Sequence, residues 1–327
     1  MFHPPTRKIE RDPLPTKLKR LDLIGAAIFI PAIIMILMAL QWGGATYPWS
    51  SSRIIGLFVG GGILIATFIG WQWYTGHSAM IPPAIFTQRT VFWACLCAAF
   101  GAQTITGLWL PEWFQVVKGD SPSTSGIHML PSMLSQTVAA LVSGIGITML
   151  GYYNPFIIVG PALMSVAAGL ITTLKVDSRS AEWIGYQIIN GVGSGFFMTA
   201  PMIAVQTVLS PANTPVGIAI VSFFQMFGGA LLAGLSQTIF NQRLPKELAK
   251  NVPGVDVAAL LAAGTAAVRR VVLPEQLPAV LESYNGALLA PFYLSVGVTA
   301  LSSFFALGLE WVDVKKKKKK KSVEAVA

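Results

Sequence analysis

The side chains able to do chemistry in this sequence are few, and most are amides. Gln187, Asn190, Gln206 and Gln225 stand in strongly apolar stretches. A polar group in such a setting costs free energy unless it is hydrogen-bonded or lines a cavity. Gln187 and Asn190 are three apart, so a helix places them on one face. Amides donate and accept, which suits bonding between helices or contact with a neutral or varied small molecule. One carboxylate, Glu112, shares such a setting, in Trp109-Leu110-Pro111-Glu112-Trp113-Phe114-Gln115. A carboxylate at membrane depth is a candidate for carrying a coupling proton. The plainer reading makes it a rim residue, with Trp109 and Trp113 in an aromatic belt and Lys118 and Asp120 just beyond. His128 opens an apolar stretch and reads as an interfacial histidine.

Motifs of enzymes do not occur. The sequence holds no metal-binding His pair, no G-x-S-x-G elbow and no phosphate loop ending in Lys-Ser/Thr. No enzyme activity, metal or cofactor is therefore expected. The run Asn190-Gly191-Val192-Gly193-Ser194-Gly195 is glycine-rich, but no strand pattern precedes it. Its Gly191/Gly195 spacing fits close helix packing, as do Gly56/Gly60 and Ala230/Gly234. Cys95 and Cys97 are two apart, so on a helix they point in different directions, which disfavours a disulfide or metal pair.

The elements that hold these residues follow from the scarcity of charge. Of 327 residues, 54% are hydrophobic and 11% are Asp, Glu, Lys or Arg, with a mean hydropathy of +0.63. A soluble domain carries about 25% charged residues. No charged residue interrupts the chain between Asp22 and Arg53, Arg53 and Arg89, Arg89 and Glu112, or Glu282 and Glu310. Two longer gaps, Asp120 to Lys175 and Glu182 to Arg243, each fit two spans. Turns divide them at Gly151-Tyr152-Tyr153-Asn154-Pro155 and Ser210-Pro211-Ala212-Asn213-Thr214-Pro215. Eight spans result, at about 21–42, 54–74, 90–114, 124–150, 155–174, 183–209, 216–241 and 285–311. Ile24 to Leu40 shows no alternation, so helices and not a barrel are expected: an all-α integral membrane protein. Val257 to Val268 is apolar but too short to cross. It reads as a helix within an extracellular loop, 242–283.

Charge also predicts orientation. The segment 1–20 is basic, and the tail 315–327 opens with seven lysines, Lys315 to Lys321. Positive residues favour the cytoplasmic side, and eight spans return the chain to the side it left, so both termini are expected in the cytoplasm. Most of the net charge of +9 is this effect. The basic residues flank spans and form no folded basic face, so the partner is the lipid bilayer and not nucleic acid. The first span reads as its own signal anchor.

Several stretches together resemble fungal members of the major facilitator superfamily, in the fourteen-helix drug:proton antiporter branch. They are Leu40-Gln41-Trp42-Gly43-Gly44 with Tyr47-Pro48-Trp49-Ser50, and Phe114-Gln115-Val116-Val117-Lys118-Gly119 with Ser121-Pro122. Gly151-Tyr152-Tyr153-Asn154-Pro155-Phe156 and Ala204-Val205-Gln206-Thr207-Val208-Leu209 add to them, as does Gly217 through Gly229. The resemblance implies efflux of small organic molecules such as drugs or secondary metabolites, driven by protons, across the plasma membrane. It implies that 21–89 holds two linker helices and that 90–314 is a six-helix C-terminal lobe. The family's first six helices have no counterpart here, so a missing N-terminal lobe is implied, and a truncated product is one reading. A non-transporting remnant, or a half-transporter that needs a partner chain, stays open beside it. Within the lobe Gln206 and Gln225 are expected to face a cavity, with Gln187 and Asn190 next. Phe223 and Phe224 would give an apolar wall for an amphipathic substrate.

Overall fold

The computed structural model describes residues 22–44, 46–101, 104–253 and 272–315. Among these the chain is helical, with eight helical stretches long and apolar enough to cross a membrane. The first two are α1 (Leu23–Trp42) and α2 (Ser52–Thr75), an antiparallel hairpin. The third is broken into α3 (Arg89–Phe100), α4 (Thr104–Trp113) and a π-turn, Phe114–Lys118. The fourth joins α5 (Pro122–His128) to α6 (Leu130–Leu150), and the fifth is α7 (Asn154–Ile171). The sixth joins α8 (Ser180–Met198) to α9 (Ala200–Val208). The last two are α10 (Thr214–Asn251) and α11 (Leu277–Ala306). The expected basic segment 1–20, the Val257–Val268 helix and the lysines after Lys315 lie outside the described residues.

Local chemistry sets the ends. Asp22 caps α1 by accepting from the Gly25 N–H at 2.7 Å. Ser121 accepts from Thr124 N–H with Pro122 in the first turn of α5. Gly151 ends α6 at φ 80°, a left-handed conformation that favours glycine. The break between α8 and α9 falls just before Pro201, which has no N–H to continue the ladder.

Helices α3 to α11 pack as one body, with α8 against α6 and α7, α11 against α7 and α3, and α10 against α11 and α3. The glycines of α8 set how close it sits. A methyl on Gly191 would collide with Ser135 Oγ and the Ser132 carbonyl, and one on Gly195 with the Gln136 carbonyl. On another face a Cβ on Gly160 would lie 2.7 Å from the Gly193 carbonyl. The small-residue spacing at Gly191/Gly195 is thus a close backbone approach. Gly56 meets nothing within 4 Å, so that reading does not extend to it.

Two expectations change. The loop predicted from 242 is helical through Asn251, and α11 starts at Leu277 and not near 285. At 1.5 Å per residue α10 is roughly 57 Å long, well beyond the ~30 Å of hydrocarbon. Its overhang stays helical because Leu244 and Leu248 pack into the same apolar cluster as Val280, Leu281 and Tyr284. Asn251 Nδ2 also donates to Ser283 Oγ at 3.1 Å. Second, Trp109 and Trp113 form no exposed belt. They are 2% and 0% exposed, donating to Ser236 Oγ at 2.8 Å and Asn285 Oδ1 at 2.7 Å. Their i, i+4 spacing turns both rings onto the face that meets α10 and α11.

The hairpin docks on α10 along its length. Phe29 meets Phe223 edge-on at 5.2 Å between centroids, and Thr238 Oγ1 donates to the Leu40 carbonyl at 3.0 Å. Its open end is closed by Asp22, which accepts from Trp71 Nε1 at 2.8 Å, Gln72 Nε2 at 2.7 Å and Met80 N–H at 3.1 Å as well as from Gly25. Burial alone would raise the Asp22 pKa; the four hydrogen bonds outweigh it and hold the carboxyl below its ordinary value.

Candidate functional site

The amides of α8 are the most enclosed. Gln187 and Asn190 share one face, as their spacing predicts, at 0% and 1% exposure. Gln187 Nε2 donates to the His128 carbonyl at 2.9 Å. Gln187 Oε1 and Asn190 Nδ2 are buried without a hydrogen-bond partner among the described residues. Such orphans are costly, of order 1–3 kcal/mol each. They mark the interior of α8 as a place where a polar group is kept against stability.

The carbonyl that holds Gln187 belongs to a tied corner. The π-turn widens the helix by one residue, and Gly119 at φ 78° reverses the chain so that the Asp120 N–H reaches the Phe114 carbonyl at 3.1 Å. Asp120 Oδ2 then lies 2.7 Å from His128 Nδ1. The imidazole sits between Phe114 and Trp183, at 5.1 and 4.9 Å between centroids. Lys118 does not pair with Asp120. Its Nζ donates to the Val176 and Ser178 carbonyls at 2.8 and 2.7 Å and lies 5.3 Å from the Trp113 ring. The corner thus joins α4, α5, α8 and the segment after α7. His128 is a partnered histidine, and its carboxylate partner stands eight residues away, beyond reach of a helix-period reading.

Glu112 is half-buried in α4, and no cation pairs with it among the described residues. Gln206 is exposed on α9, and Gln225 is half-buried on α10. Phe223 and Phe224 line a cavity between the hairpin and the lobe. That cavity is about 350 Å³. Phe29, Ile33, Ile65, Phe68, Ile69, Gln72 and Trp73 line it from the hairpin, Ile81, Pro83, Phe86, Thr87 and Phe92 from the connection and α3, and Phe223, Phe224 and Phe227 from α10. Gln225 is not in this lining, because each residue turns about 100° on a helix of 3.6 residues per turn. A second, shallower groove of about 470 Å³ runs between α6 and α8, bounded by side chains such as Leu134, Val138, Ile188 and Phe196.

The described residues thus form a broken, glycine-packed six-helix body carrying buried amides, with an apolar helix pair docked on it. The family model described as Fungal trichothecene efflux pump (TRI12) matches residues 4–268. The chain belongs to this family. It is 42% identical to the MFS-type transporter astH of Aspergillus oryzae over 94% of this chain and 55% of that protein. It is 42% identical to the efflux pump roqT of Penicillium rubens over 96% of this chain and 59% of that protein. The efflux pump mlcE of Penicillium citrinum matches at 40% over 94% and 56%. The chain therefore spans a little over half the length of the curated relatives it matches.

Family membership and the eight apolar helices make this a multi-pass integral membrane protein. The names in this family are those of transporters and not of enzymes. Three polar features of the member described here escaped the residue-by-residue reading: the Asp22 clasp, the Asp120–His128 pair, and the Glu310 carbonyl that accepts from Tyr153 Oη and Asn154 Nδ2. The last had a signal in Tyr153-Asn154-Pro155, read there only as a turn. Burial pushes the Tyr153 phenol up to about 12, so it stays a donor.

Proposed function

We propose that the protein exports small organic molecules, of the drug or secondary-metabolite kind, across the plasma membrane with protons as the driving ion. Both termini lie in the cytoplasm in this reading. The observation that carries it is the family match over residues 4–268, alongside relatives named as efflux pumps at about 40% identity. Residues 21–89 serve as two linker helices and residues 90–314 as one transporter lobe.

Gln206 and Gln225 contact the substrate in this reading, with Phe223 and Phe224 giving it an apolar wall. Gln187 and Asn190 take part when α6 and α8 part during rocking, and their unpaired atoms are what supports that role. Glu112 is the proton-coupling candidate, since it is half-buried and unpaired among the described residues. A second reading is a half-transporter that acts only with a complementary lobe. It is supported by the span of 55–59% of the relatives, because superfamily members carry substrate between two lobes. The test is a liposome efflux assay of the purified chain against a substrate panel, with and without a protonophore. Protonophore-sensitive efflux supports export by the chain alone. Efflux only after adding a separately expressed N-terminal lobe of a relative supports the second reading. No efflux in either arm defeats both.

A further inference from the structure

The ring-lined cavity where the hairpin meets the lobe shares Phe223 and Phe224 with the export reading, but most of its wall comes from residues outside that reading, and its chemistry is specific. We propose that it binds a flat, ring-bearing apolar molecule that enters from the hydrocarbon of the bilayer.

The shape of the wall comes first. Phe86 and Phe224 lie 14° from parallel with centroids 5.5 Å apart, and Phe223 and Phe227 lie 10° from parallel at 5.7 Å. Phe29 and Phe68, tilted at 37° and 4.5 Å, continue the wall through the edge contact of Phe29 with Phe223 at 5.2 Å. Aromatic faces reward a flat partner beyond the area it buries, through offset-stacked and edge-to-face contact. A flexible chain gains no such contact and loses rotamer freedom on ordering.

The polar content of the wall excludes a polar occupant. Gln72, Thr87 and the indole N–H of Trp73 are the polar groups of the lining, and Trp73 stands at the exposed rim. Gln72 Nε2 donates to Asp22, and its Oε1 accepts from the Ile81 N–H at 2.8 Å. Thr87 Oγ1 donates to the Pro83 carbonyl at 2.7 Å. A hydroxyl or carboxylate pressed against this wall would be left without a partner, at a desolvation cost. A cavity of about 350 Å³ is at the lower end of ligand sites and takes two or three fused rings. Its rim points outward: Ile69 and Trp73 are 51% and 65% exposed on α2, a helix long and apolar enough to cross the membrane. In this proposal the mouth meets lipid, and an apolar cavity of this kind does not hold water.

The test uses the whole chain in dioleoylphosphatidylcholine nanodiscs and the contact quenching of tryptophan by bromine. Two probes are titrated, 9-bromophenanthrene and 1-bromododecane. The ring probe is expected to show a saturable component that disappears in Trp73→Phe. Phe224→Leu keeps an apolar side chain but removes a ring, and is expected to weaken that component about tenfold. Ile65→Phe fills the cavity without removing any ring and is expected to abolish it, which keeps the test intact should Phe224→Leu fail to fold. The alkyl probe is expected to quench only in proportion to its mole fraction. Proportional quenching by the ring probe, or equal saturable quenching by both, overturns the proposal. No transport is measured, so a failed efflux assay and a failed binding assay are separate results.

Discussion

Removing the Asp22 carboxylate should loosen the end of the hairpin without unfolding the lobe. Four donors converge on this one group, at 2.7, 2.8, 2.7 and 3.1 Å. In Asp22→Ala the lost cap on Gly25 costs about 1 kcal/mol. Gln72 is 5% exposed, so its freed Nε2 cannot turn to water, and an orphaned buried donor costs about 1–3 kcal/mol. Trp71 is only half-buried and Met80 is exposed, so water replaces their partner at little cost. The sum is about 3 kcal/mol, or on the order of 100-fold in a local opening equilibrium. Asp22→Asn keeps an acceptor oxygen but sets an amide against the remaining donors, so an intermediate loss of about 1–2 kcal/mol is expected.

Hydrogen exchange at the Met80 and Ile81 amides in nanodiscs reads this directly. One amide donates to Asp22 and the other to the Gln72 side chain that Asp22 holds. After correction for intrinsic rates, wild-type protection should be flat above the unfolded carboxyl value near 3.9. The folded pKa is lowered, so the bound carboxylate's contribution is complete above that value and is lost as pH falls through the folded pKa. Asp22→Asn should show no such acid limb. Unchanged protection in Asp22→Ala, or an identical acid limb in Asp22→Asn, would refute the reasoning.

Other perturbations separate packing from polarity. Gly191→Ala should destabilise the α6–α8 contact by about 1–3 kcal/mol through overpacking, while Gly185→Ala on the same helix, with nothing within 4 Å, should stabilise by up to about 1 kcal/mol; steric-trap unfolding in bicelles checks whether the two signs differ. Leu248→Ala should cost about 2–4 kcal/mol locally and raise hydrogen exchange over the last two turns of α10, leaving α6 and α8 unchanged. Trp113→Phe should leave Asn285 Oδ1 without its donor at a cost of about 1–2 kcal/mol, and a double-mutant cycle with Asn285→Ala should recover most of it.

What the sequence disclosed and what it withheld divide along one physical line. Spans were legible because hydrocarbon forbids charge over some 20 residues, and that rule acts on every residue of a gap such as Glu182 to Arg243. Faces were legible only where a short period set them, as at Gln187/Asn190 and Gly191/Gly195. Trp109 and Trp113 had the same i, i+4 period, yet an aromatic residue near a carboxylate reads as a rim residue until its indole N–H is seen to meet Ser236 and Asn285, over a hundred positions away. The overhang of α10 was misread because a charge count ends a span at Arg243, while the stripe Phe240, Leu244, Leu248 at spacing four continues the helix past it. The ring-lined cavity was least accessible. Phe223 and Phe224 lie one after the other in the sequence, but Phe29, Phe68 and Phe86, which complete the wall, come from parts of the chain with no periodic relation to them. A site assembled from long-range contacts leaves no local spacing to read. For the same reason, the rings of α1, α2 and the connection at 79–88 are where the proposed binding site departs from the residues of the proposed transport. Replacing those rings one at a time, in the hairpin and not in the lobe, is where the proposed binding would first separate from the proposed transport.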